Sequence, residues 1–60
     1  MDFVVNEFTV IKNFKKLDEF KTITKFGQPY EYQKFVGELE HKVTGWICLA
    51  DENIYGLTLL

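Results

Sequence analysis

Sixty residues, a net charge of −2 and a single cysteine set narrow limits on what this chain does. One domain, residues 1–60, fits that length and buries only about 60% of the surface its unfolded form exposes. A lone Cys48 excludes an internal disulfide, and one cysteine with one histidine is too small a donor set for structural zinc.

"DFVVNEFTVIKNF", at the start, is rich in β-branched and aromatic residues, and Val4, Phe8 and Val10 fall on one face at period two. A helix through Val4, Phe8 and Ile11 is the alternative, and the strand is preferred. "NFKKLDEF" reads as a helical turn or a loop. "EFKTITKF", "GQP" and "YEYQKFV" then read as a hairpin: threonines, Ile23 and Phe26 suit the first strand, and Gly-Gln-Pro makes the turn. Pro29 is tolerated at a strand start because its missing N–H need not face a neighbour. In the second strand Tyr30, Tyr32 and Lys34 share one face, and Glu31, Gln33 and Phe35 the other.

After Gly37 the period changes. Leu39, Val43, Trp46, Ile47 and Ala50 recur along one helical stripe, with Glu40, His41, Thr44 and Cys48 opposite. The competing reading is a strand through "WICLA" that turns at "DEN" into "IYGLTLL". Gly45 costs a helix about 1 kcal/mol against alanine. The helix is preferred, "NIYGLTLL" is a strand either way, and the expected fold is α+β: a small antiparallel sheet of about three strands with one helix. The apolar ending "GLTLL" and the six Phe, three Tyr and one Trp in so short a chain point to a homodimer.

Little in the chain resembles catalytic machinery. On a helix Cys48 and His41 stand about 10 Å apart along the axis, beyond the reach of a nucleophile–base pair. Glu38/Glu40, Asp18/Glu19 and Asp51/Glu52 read as solvated faces or turns rather than an acid–base pair across a cleft. No phosphate-cradling glycine loop is present. Neither an enzyme nor a cofactor or metal site is expected. No apolar run approaches a membrane span, and the unpaired thiol fits a reducing setting, so the expected location is cytoplasmic, with no membrane partner.

Two surface signals remain. Lys12, Lys15, Lys16, Lys21 and Lys25 interleave with Phe14, Phe20 and Phe26, which matches the recipe for binding single-stranded nucleic acid. The phenylalanines are needed for the core, however, and lysines commonly protect sheet edges. Nucleic acid is accordingly the second choice of partner. Tyr30, Tyr32, Trp46 and Tyr55, near acidic residues, suit a protein interface. Charge is uneven in the same sense: residues 1–36 carry +1 and residues 37–60 carry −3.

The stretches "QPYEYQK" at 28–34 and "ADENI" at 50–54 resemble the short uracil-DNA glycosylase inhibitor of phi29-like Bacillus phages, and Asp2-Phe3-Val4 echoes its N-terminus. The likeness covers about a third of the chain. It implies a non-catalytic homodimer that mimics DNA, with the host glycosylase as partner and an apolar pocket receiving the leucine that the enzyme inserts into DNA. On that reading Leu39, Val43 and Trp46 form or border the pocket. Glu31, Glu38, Glu40, Asp51 and Glu52 substitute for phosphates, while Tyr30, Tyr32, Ile47, Ile54, Leu57 and Leu59 pack the sheet or dimer seam. The sequence departs from the family where His41, Lys42 and Val43 stand in place of a Phe-Glu pair.

Overall fold

Strands joined by short turns take up the chain from residue 3 to residue 59. The computed structural model describes residues 1–60 as five strands: β1 (Phe3–Asn6), β2 (Thr9–Lys25), β3 (Gln28–Glu38), β4 (Lys42–Cys48) and β5 (Ile54–Leu59). Each pairs antiparallel with the next, in the order β1-β2-β3-β4-β5, and the sheet curls into a half-barrel.

This overturns the expected α+β architecture: the fold is all-β, with no helix over 38–50 and five strands in place of about three. The alternative strand reading of that segment is the one realised. Val43 and Ile47 lie four residues apart, a spacing that satisfies both the helical and the strand period. What separates the two readings is the residue types between them. Val43, Thr44 and Ile47 are β-branched and favour extended backbone, and Gly45 weakens a helix. Val43, Gly45 and Ile47 point inward, while Thr44 and Trp46 are only half-buried on the outer face.

The core cluster is Ile11, Phe14, Phe35, Val43 and Ile47, with Phe3 and Ile54 packed against it. Phe14 sits between two other rings, 4.8 Å from Phe3 and 5.0 Å from Phe35 by centroid. Ile11 and Phe14 are three residues apart, so a regular strand would send them to opposite faces. The β2–β3 register slips between Lys12 and Lys15, where Asn13 adopts φ 53°, and this slip turns both side chains inward. A second slip lies between Lys16 and Phe20. There the Leu17 carbonyl accepts a hydrogen bond from Gln33 Nε2 at 2.9 Å. The "NFKKLDEF" stretch, expected as a turn or loop, is thus continuous strand with two bulges. The first segment, in turn, is split by a turn after Asn6, whose Oδ1 accepts the Phe8 N–H at 2.8 Å.

The β2–β3 hairpin forms as expected, but its turn is Phe26-Gly27 rather than Gly-Gln-Pro, because Lys25 pairs with Gln28 and Thr24 with Pro29. Both turn residues have positive φ, 51° and 75°, the signature of a type I′ turn. Hydrogen-bonded and non-hydrogen-bonded pairs alternate outward from such a turn, so Pro29 falls where its missing N–H points away from β2. On the far side of the sheet Gly56, at φ 61°, accommodates a bulge in β5 opposite Gly45.

Candidate nucleic-acid interface

The register of the hairpin decides what shares the outer face. Lys21 pairs with Tyr32 and Ile23 with Tyr30 across β2 and β3; Tyr32 pairs with Cys48 and Lys34 with Trp46 across β3 and β4; Trp46 pairs with Tyr55 across β4 and β5. Directly paired residues in an antiparallel sheet project to the same side. Four strands thereby contribute lysines and large aromatic side chains to one surface.

Their geometry is close. The Lys21 Nζ stands 4.2 Å from the centroid of the Trp46 ring, and Lys34 Nζ is 5.9 Å from it. Lys25 Nζ lies 4.1 Å from the Tyr55 centroid and 5.5 Å from that of Tyr32. Tyr32 and Tyr55 meet edge to face, with centroids 5.3 Å apart and planes at 84°. These are cation–π distances, each contact contributing about 0.5–1 kcal/mol at an exposed site. The lysine side chains lie along the rings and keep their charged ends in water. Only Lys34 has a carboxylate partner on this face, Glu19 at 3.6 Å. Lys25 has its pKa raised above 10.5, chiefly by hydrogen bonding with the Tyr32 hydroxyl, and so stays charged.

Asp51 borders the same surface from the β4–β5 turn. Its Oδ1 accepts the Asn53 N–H at 3.0 Å, and that bond holds its pKa below the ordinary 3.8. A shallow slot of about 210 Å³ opens between this turn and the hairpin tip, lined by Lys25, Phe26, Tyr30, Tyr32, Cys48, Asp51 and Tyr55.

The residues singled out in the sequence are distributed differently from the expected pocket. Val43 is buried in the core, and Trp46 lies on the opposite face of the same strand. Leu39 sits in the β3–β4 turn and, together with Val43, lines an open end groove of about 490 Å³ with Phe8, Val10, Lys12, Glu38, Glu40 and Leu59, so Trp46 alone of the three expected pocket residues stands apart. Glu38 and Glu40 flank that turn, whereas Asp51 and Glu52 occupy the turn at the other end of β4, about 20 Å away by strand rise. Glu31 belongs to the second group, its carbonyl accepting the Leu49 N–H at 3.0 Å. The five carboxylates therefore split into two clusters. Tyr32 and Ile47 are buried, Tyr30 and Ile54 half-buried, and Leu57 and Leu59 exposed.

Lys21, Lys25 and Tyr55 belonged to two separate sequence signals and to neither the expected pocket nor the acidic set. What could have joined them is parity. Lys21, Ile23 and Lys25 alternate on one strand as Tyr30, Tyr32 and Lys34 do on the next, so a hairpin turn centred on 26–27 places both sets on one face. No group of three His, Cys, Asp or Glu side chains is placed to hold a metal ion, and no helix is long and apolar enough to cross a membrane.

The fold and this surface together describe a small all-β protein with a lysine–aromatic sheet face. No protein-family model, curated protein or solved structure matches the chain.

Proposed function

We propose that the outer face binds single-stranded nucleic acid. The observation that carries this reading is the half-exposed Trp46, with the ammonium groups of Lys21 and Lys34 within about 6 Å of its ring and Tyr55 paired beside it. Aromatic platforms take the π-face of any base, worth about 1–3 kcal/mol per stacked base, and flanking lysines neutralise phosphates. A base that stacks on Trp46 takes the place of the Lys21 ammonium, which is then free to reach the backbone. The net charge of −2 does not oppose this, because steering depends on local charge. Lys21, Lys25 and Lys34 outnumber Glu19 and Asp51 on this face, while Glu38 and Glu40 lie at the far end of β4.

Fluorescence anisotropy of a labelled single-stranded oligonucleotide, read together with Trp46 emission, tests the proposal. Binding should quench the tryptophan and weaken with salt, with a slope of log K against log salt near −2 for three phosphate contacts. Trp46→Ala should lower affinity about five- to 100-fold with the fold retained. A protein that neither binds nor quenches overturns the reading. DNA mimicry aimed at uracil-DNA glycosylase is supported by the two short stretches that resemble the phage inhibitor, whereas the geometry favours the cationic face. Stoichiometric inhibition of uracil excision, without oligonucleotide binding, would reverse that preference.

A further inference from the structure

Resting on the nucleic-acid reading, we infer that the slot between the β2–β3 turn and the β4–β5 turn takes one unpaired nucleobase, and that Asp51 selects bases bearing an exocyclic amino group over thymine and uracil. At about 210 Å³ the slot is smaller than sites for drug-sized ligands and suits a single planar ring system. Its walls are aromatic: Tyr55 is the exposed ring on which a base can lie flat, and Tyr32, almost wholly buried, meets it at 84° and closes the floor of the slot. The face of Tyr55 is covered by Lys25 at 4.1 Å. A stacked base displaces that ammonium, which remains within reach of the nucleotide's own phosphate.

Asp51 supplies the selectivity. The carboxylate accepts the Asn53 N–H and also faces the Cys48 thiol, and of its roughly four lone-pair sites these leave room for a ligand's donor. The same backbone bond keeps the group ionised, and an ionised carboxylate only accepts. Cytosine, adenine and guanine each offer an amino donor on the edge that pairs in a duplex. Thymine and uracil offer one N–H there, flanked by two carbonyl oxygens that a carboxylate repels. Reading a splayed base by its pairing edge while stacking its face is the usual route to sequence preference on single strands. At the rim Phe26 is fully exposed, 101% by relative area, and held at φ 51°, a backbone region disfavoured for a bulky residue. Nothing within the fold is packed by that ring, and it stands where it can close over an inserted base.

Cytosine and thymine have the same ring size, so comparing oligo(dC) with oligo(dT) of equal length isolates the edge from the stack. The wild-type protein should bind oligo(dC) about tenfold more tightly than oligo(dT) at the same salt concentration. Asp51→Asn keeps an oxygen for the Asn53 N–H and adds a donor, so it should erase the preference with the fold retained. Equal binding of both oligonucleotides by the wild type overturns the inference and leaves the lysine–aromatic face standing. Preference retained in Asp51→Asn overturns the assignment to Asp51. Binding of neither oligonucleotide defeats the nucleic-acid reading itself.

Discussion

Gly45 on β4 lies directly opposite Phe35 on β3, and the Phe35 ring fills the space that a side chain at position 45 would need. A Cβ built there would stand 2.9 Å from Phe35 Cζ and 3.1 Å from the Tyr55 carbonyl oxygen. The ring is buried and the carbonyl is backbone, so neither yields cheaply. Gly45→Ala should destabilise the fold by about 1–3 kcal/mol, the range for overpacking a filled core, seen as a lower urea midpoint with an unchanged slope. A midpoint equal to wild type would mean that the Phe35 ring does not occupy that space.

The same glycine shows how far the sequence could be read. Taken for a helix, Gly45 is only a penalty; taken for a strand, it is where the partner's ring fits. That distinction needs β3 beside β4, a long-range fact that local propensity does not contain. Local signals sufficed for the β2–β3 hairpin and the faces of Tyr30, Tyr32 and Phe35, because alternation along β3 is uninterrupted, and for the presence of the final strand. They did not suffice for residues 12–20, where two bulges reset parity and made continuous strand read as loop. The lysine–aromatic face was legible in its parts but not in its assembly, which follows from the turn falling at 26–27.

Phe26 is the wrong residue for its turn on stability grounds alone. Type I′ turns favour Asn-Gly because both positions need positive φ, and a bulky residue held there costs on the order of 1 kcal/mol. Phe26→Asn should therefore raise the thermal midpoint by roughly 4–8 °C. The same substitution should weaken oligonucleotide binding, since it removes the ring at the rim of the slot. A gain in stability with unchanged affinity would leave Phe26 without a part in binding.

Asp51 and Lys25 give the stability opposite pH dependences at the two extremes. The folded pKa of Asp51 lies below 3.8, so its contribution is present above pH 3.8 and is lost as pH falls through the lower folded value. The folded pKa of Lys25 lies above 10.5, so its contribution is present below pH 10.5 and is lost as pH rises through the higher folded value. Thermal midpoints measured across the acid range should fall more steeply below pH 4 for wild type than for Asp51→Asn. Parallel acid limbs would show that the Asn53 bond does not favour the ionised carboxylate.

Seven hydrophobic side chains are buried, and fourteen large ones are exposed, among them Phe8, Leu39 and Leu59 around the end groove. The edge strands β1 and β5, "FVVN" and "IYGLTL", contain no charged residue and no proline, the usual safeguards against strand-to-strand pairing. The groove carries both signs on its rim, Lys12 against Glu38 and Glu40, so a two-fold axis would set each lysine against a partner's carboxylate. A second copy of the chain would satisfy all three features. The expected outcome is a dimer by sedimentation equilibrium, with a thermal midpoint that rises with protein concentration. Leu59→Lys should shift the mass to that of the monomer, because it places a charge in the groove and on the free edge together. A wild type that sediments as a monomer at every concentration would sink self-association, and the half-barrel would then be stable on its seven buried side chains alone.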